Sequence, residues 1–197
     1  MSKSSTRVCQ FKITLKGITP RIWRRIQVME TSTFWDLSVA IQDVMGWGGH
    51  HLHEFHVMNP RTGVMEEIGI PDDEFPGRVR KGWTTRISRY FTIENKKAMY
   101  IYDFGDYWEH IVTLEKVLPA DPGTQYPRCI AGKRNSPPDD IGSVPGYEDF
   151  VAIMRDPDHE EYEEMVEWYG DVYDPEHFDC AEVTFLDPAD MLLLMQE

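Results

Sequence analysis

Residues 8–16 alternate without a break: Cys9, Phe11, Ile13 and Leu15 are apolar, and Gln10, Lys12, Thr14 and Lys16 between them are polar. A period of two predicts a strand with one face on a core and the other in water. Gly17-Ile18-Thr19-Pro20 supplies a turn, and residues 22–28 return as a second strand. At Thr33 the period changes. Phe34, Leu37, Ile41 and Val44 fall at helical spacing. Thr33 and Asp36 form a capping-box-like start, with aspartate in place of the usual glutamate, and Gly46 supplies the stop. Residues 51–58 read as the next strand, and residues 86–93, 98–104 and 107–117 as three more, with a Pro- and Gly-containing loop over 69–82.

Residues 119–145 are rich in proline and glycine. A connection of that length in a compact domain is usually functional, or folded over the body as a flap. Beyond it the pattern turns helical. Asp156-Pro157, Asp174-Pro175 and Asp187-Pro188 each set an N-cap aspartate before a proline suited to a first helical turn. Tyr162, Met165, Val166 and Tyr169 form the buried stripe expected of the middle helix, with Glu160, Glu161, Glu163 and Glu164 outside it. The order strand, turn, strand, helix, strand predicts an α+β fold. We expect a single domain over residues 1–197, with a mostly antiparallel sheet, one long packed helix and a helical C-terminal part. Its parts would be sheet plus helix over 1–118, the flap over 119–145 and an acidic helical part over 146–197.

Composition narrows the setting. At 197 residues the chain can bury a full core without staples, and no apolar run approaches a bilayer span. Cys9, Cys129 and Cys180 are isolated and odd in number, which points to a reducing, cytoplasmic setting and no membrane. The net charge of −14 hides an asymmetry: residues 1–100 carry 15 Lys and Arg against 10 Asp and Glu, whereas residues 101–197 carry 5 against 24. A basic half keeps nucleic acid open as a partner. The plainer reading is that the halves face each other, or that acidic helices simply favour solubility.

Candidate chemistry concentrates in two places. Residues 100–110 read as two strands around an acidic corner, crowding Asp103, Asp106, Glu109 and His110 near the bend. His51 and His53 are two apart, so on a strand both project from one face. Two imidazoles with a third ligand from His110 or Asp103 can hold zinc or another divalent metal, which makes His51, His53 and His110 the candidate metal set. The plainer reading is a hairpin corner with Gly105 at positive φ and aspartates bonded to local amides. Asp103-Phe104-Gly105 lacks the other segments of a kinase, and no nucleophile is marked out.

A second constellation is basic and aromatic. Arg21, Arg24 and Arg25 surround Trp23, and Arg78, Arg80, Lys81, Trp83, Arg86, Arg89 and Tyr90 follow. Such a surface suits single-stranded nucleic acid, with Arg21, Arg24, Arg25, Arg86 and Arg89 as candidate contacts. The plainer reading is that Trp23 is core and that the arginines pair with the acidic C-terminal helices. Lys133 and Arg134 lack the remaining glycine of a phosphate loop, His159 and Glu163 suit an ordinary helix-surface pair, and Cys129 beside Arg128 reads as packing.

Taken together, Ile22-Trp23-Arg24-Arg25-Ile26, Thr33-Phe34-Trp35-Asp36-Leu37, His51-Leu52-His53-Glu54-Phe55 and Tyr102-Asp103-Phe104-Gly105-Asp106 come in a recognisable order. So do Trp108-Glu109-His110, Tyr126-Pro127-Arg128-Cys129, Gly146-Tyr147 and the Asp156-Pro157 helix. The chain resembles the plasmid pRiA ORF-three-like family, also labelled passenger proteins of an insertion element, over nearly its whole length. That resemblance implies a genomic neighbourhood of plasmids and mobile elements, not an activity. Members carry further flap cysteines in a pattern like C-x-x-G-x-R-x-C-P-P-E-D-C-G-G. Here Cys129 remains while Ser136 and Ile141 occupy the other places, so no zinc site can form from that trio. The preferred expectation is a non-enzymatic binding module for a protein or nucleic-acid partner. The alternative is a metal-dependent enzyme, such as a hydrolase, using the His/Asp cluster.

Overall fold

The alternating segment near the chain start becomes a central strand of the sheet. A computed structural model describes residues 6–71 and 77–196. Among the described residues eight strands form one sheet: β1 Arg7–Leu15, β2 Trp23–Met29, β3 His53–Met58, β4 Met65–Gly69, β5 Val79–Lys81, β6 Lys97–Tyr102, β7 Trp108–Pro119 and β8 Arg128–Lys133. Their order is β5-β4-β3-β6-β7-β1-β2-β8, antiparallel throughout except for β4 with β5. The described residues also form the α-helices α1 Phe34–Met45, α2 Ser143–Met154, α3 Tyr162–Tyr169 and α4 Pro188–Gln196. The fold is α+β.

Alternation on β1 sends Phe11, Ile13 and Leu15 into the core, where they join Phe34, Leu37, Ile41 and Val44 of α1. Full burial of each such side chain contributes about 1.5–3 kcal/mol. Thr33 Oγ1 accepts from Asp36 N at 3.2 Å while Asp36 Oδ2 accepts from Thr33 N at 2.8 Å, so the capping box closes. Gly46 ends α1 at φ 73, a left-handed position where glycine carries no Cβ penalty. Thr33→Ala is expected to lower stability by about 1 kcal/mol, read as a lower urea midpoint at constant slope.

Several expectations need correction. The single long helix is not distinct: α1 and α2 each run 12 residues. Residues 86–93 form no strand. Ile87, Tyr90 and Phe91 are buried at three- and four-residue spacing, and a 3-10 turn spans Ile87–Arg89. Of the three Asp-Pro pairs, only Asp187-Pro188 opens a helix, with Asp187 Oδ1 accepting from Ala189 N at 2.8 Å. Asp156-Pro157 and Asp174-Pro175 sit in turns. The Pro- and Gly-rich segment contains β8, an edge strand paired with β2. After α3, residues 171–186 run as an arm past β8 and back to α1, where Asp43 Oδ2 accepts from Leu186 N at 3.2 Å.

Candidate functional site

The β6–β7 corner holds its shape through aspartate and tyrosine, not through Gly105. Asp103 and Tyr107 both take φ 57, and Gly105 is not at positive φ. Asp103 accepts from Gly105 N through Oδ1 at 2.8 Å and donates its own N–H to Leu52 O at 3.0 Å. That last bond ties the corner to the segment between α1 and β3.

A third segment arrives from residues 134–142. Trp47 Nε1 donates to Pro137 O at 2.9 Å, Gly48 N to Asp139 Oδ2 at 2.9 Å, and Gly142 N to Asp106 Oδ2 at 2.9 Å. These anchors place Asp140 beside His51. His51 Nε2 lies 3.0 Å from Asp140 Oδ1, and His51 Nδ1 lies 3.7 Å from Asp103 Oδ1. Donor atoms of His51, Asp103 and Asp140 all fall within 4.8 Å of one another. Asp103 is buried, whereas the Asp140 side chain is 72% exposed, so the cluster opens to solvent. Asp140 and Ser143 also hold left-handed backbone, at φ 61 and 66. Left-handed non-glycine residues carry a conformational cost and gather where surroundings impose a geometry. Phe104 and Tyr107 expose their rings at the same corner.

The two expected imidazole partners go elsewhere. β3 begins at His53, so His51 precedes the strand and escapes its alternation. His53 and His110 are buried on the inner face, their rings 5.8 and 5.5 Å from that of Tyr100. The register gives the cause: Phe55, Tyr100, His110 and Leu15 form one row across four strands, and His53, Tyr102 and Trp108 the next. Burial lowers both imidazoles to about 3. His53 Nε2 and both ring nitrogens of His110 make no hydrogen bond among the described residues; the Tyr100 and Trp108 backbone lies near His110 but off-geometry. The expected set of His51, His53 and His110 therefore does not converge. Glu109 is also apart, paired with Lys16 Nζ at 2.8 Å. Asp106 serves as an anchor through Gly142.

The basic constellation is largely neutralised within the fold. Arg25 pairs with Glu115 at 2.6 Å, Arg78 with Glu67 at 2.7 Å and Arg80 with Glu66 at 2.7 Å. These carboxylates come from strands, not from the acidic helices. Arg24 is only 1% exposed and out of reach of a surface-bound strand, which leaves Arg21, Arg86 and Arg89 exposed. Arg134 is buried against Glu176 at 2.9 Å, and His159 precedes α3. Asp140 escaped sequence reasoning; its only signal was Pro137-Pro138-Asp139-Asp140, a turn-forming run inside the presumed flap.

An antiparallel-rich α+β fold with a His/Asp corner defines the class. The chain belongs to the family described as "Plasmid pRiA4b ORF-3-like protein", whose profile matches residues 7–182. It is 34% identical over 164 residues to "Uncharacterized protein y4hQ" of Sinorhizobium fredii, across 83% of this chain and 81% of that protein. It is also similar to the crystal structure of "Protein of Unknown Function MM3350" from Methanosarcina mazei Go1. There the TM-score is 0.85 at 49% identity, covering 92% of this chain and 100% of that one. Neither name states an activity. Among the described residues no helix is long and apolar enough to cross a membrane.

Proposed function

We propose that this protein is a binding module that holds a divalent cation at His51, Asp103 and Asp140 and engages its ligand through the open side of that ion. The observation that carries this reading is the convergence of three metal-competent donors, from three distant segments, within 4.8 Å. One imidazole nitrogen and two carboxylate oxygens make a donor set that zinc accepts, with room left for water or ligand. His51 already lies between the two carboxylates, and a metal ion takes an imidazole in its neutral form. His51 also borders a cleft of about 500 Å³ beneath α4, lined by Trp35, Gln42, His53 and Met191. The exposed Phe104 and Tyr107 rings offer an apolar rim.

The solvent-facing Asp140 side chain favours a second reading, a metal-dependent hydrolase, because an open coordination position can activate water. Titration calorimetry with zinc tests the shared premise. Wild type and Glu109→Gln, which alters the same corner outside the cluster, should each bind one zinc per chain. His51→Ala and Asp140→Ala should weaken binding by at least about tenfold. Equal affinity in all four proteins removes the site. Given binding, zinc-dependent hydrolysis of an ester or phosphoester by wild type but not His51→Ala would select the enzyme reading.

A further inference from the structure

The arm and the edge strand meet at two sulfur atoms. Cys129 lies on β8 opposite Ile26, and Cys180 opens a 3-10 turn over Cys180–Glu182. Their Sγ atoms are 3.3 Å apart across a sequence separation of 51 residues. Both are free and half-buried, whereas Cys9 is buried. Packing around them, independent of the thiols, fixes this approach. The Phe178 ring lies against Gly132, where a Cβ would come within 2.2 Å of it, and over the Arg24 guanidinium at 3.8 Å. Tyr173 donates its hydroxyl to Ser136 O at 2.9 Å, and Asn135 N donates to Pro175 O at 3.1 Å. The stretch of arm before Cys180 is thus fastened to β8 and the residues after it.

We propose that Cys129 and Cys180 form a reversible disulfide, a modification site that pins the C-terminal arm to the edge strand when a peroxide supplies the oxidising equivalents. A disulfide needs its sulfurs at about 2.05 Å, so the pair has to close by only about 1.3 Å. Burial pushes the Cys129 thiol up, and its S–H donates to Cys180 Sγ, which makes Cys180 the attacking sulfur. Buried Arg24, whose charge no carboxylate neutralises among the described residues, favours negative charge nearby. In the first step Cys180 sulfur gives up its proton and attacks a peroxide oxygen; the O–O bond breaks and the departing hydroxide takes up that proton, leaving a sulfenic acid and one water. In the second, Cys129 sulfur attacks Cys180 sulfur, the S–O bond breaks, and hydroxide takes the Cys129 proton as a second water. Two thiols are oxidised by two electrons and the peroxide is reduced to two waters. A dithiol reductant reverses the bond by exchange.

The test treats the reduced full-length chain with hydrogen peroxide, alkylates remaining thiols in denaturant and maps peptides by mass spectrometry. Expected is an intramolecular peptide pair joined at Cys129 and Cys180, alkylated Cys9, and full recovery of thiols with dithiothreitol. Cys129→Ser and Cys180→Ser should each abolish the link, and the oxidised wild type should melt higher by about 5 °C or more. Thiols that stay alkylatable, cysteines that reach sulfinic acid unlinked, or crosslinks only between chains would overturn the disulfide. A linked protein whose Tm does not move would overturn the pinning.

Discussion

Arg24→Leu is expected to destabilise the protein by about 3–5 kcal/mol. Arg24 Nε donates to Val44 O at 2.7 Å, Nη1 to Trp23 O at 3.0 Å and Lys133 O at 3.1 Å, and Nη2 to Ser136 Oγ at 2.7 Å. One side chain thereby links the last turn of α1, two strands and the segment that leads to Asp140. Leucine fills part of the volume but leaves three carbonyls without this donor, because the backbone partners cannot be exchanged with it. The C-terminal end of α1 also loses a cation that complements its dipole. Burial lowers the guanidinium to about 10, so it remains charged at neutral pH. Arg24→Lys should recover part of the loss, since a lysine keeps the charge without the planar fork. Urea unfolding at constant slope provides the measurement; a change under about 1 kcal/mol would show that water or neighbours replace the fork.

Acid should unfold this protein through His53 and His110. Burial holds both near 3 against an ordinary 6.5, so between those values the unfolded chain carries the two protons and the folded chain does not. The pair's stabilisation is complete above 6.5 and is lost as pH falls through that window, at about 2.7 kcal/mol per pH unit for two groups. Asp43 opposes it. Burial raises its carboxyl to about 6 against 3.8, so the folded state binds that proton first and gains stability as pH falls between them. Comparison with His110→Leu isolates the imidazole effect: its stability against pH should be shallower than wild type by about 1.4 kcal/mol per unit between pH 6 and 4. Parallel curves for the two proteins would mean that His110 does not resist protonation in the fold.

Much of the fold was legible because local signals and tertiary structure agree. The β1 alternation, the Thr33–Asp36 box and the Gly46 stop each act within a few residues, and each is formed. The same alternation also carried information that residue type obscured. Arg24, Ile26 and Val28 share a parity on one strand, in step with Ile22 just before it, as do Trp108, His110, Val112 and Leu114 on another, and all are buried. Charge and titratability suggested surface or site roles for Arg24 and His110, but strand periodicity points them inward. β8 was hidden because Cys129-Ile130-Ala131-Gly132 is short and lies among prolines; pairing with β2 makes it a strand.

The candidate site was half legible. His51 and Asp103 do meet, through the Leu52 to Asp103 backbone bond. Asp140 was not foreseen, because its position depends on Trp47, Gly48 and Asp106, contacts 36 to 91 residues apart in sequence. No local pattern encodes such an approach.

Anomalous scattering at the zinc edge, from crystals of the metal-loaded chain, confronts the three-donor site most directly. The account predicts one strong peak per chain, about 2.0–2.2 Å from a His51 ring nitrogen and from an oxygen of both Asp103 and Asp140. Bound zinc lying elsewhere, with none of those three side chains among its ligands, would contradict it.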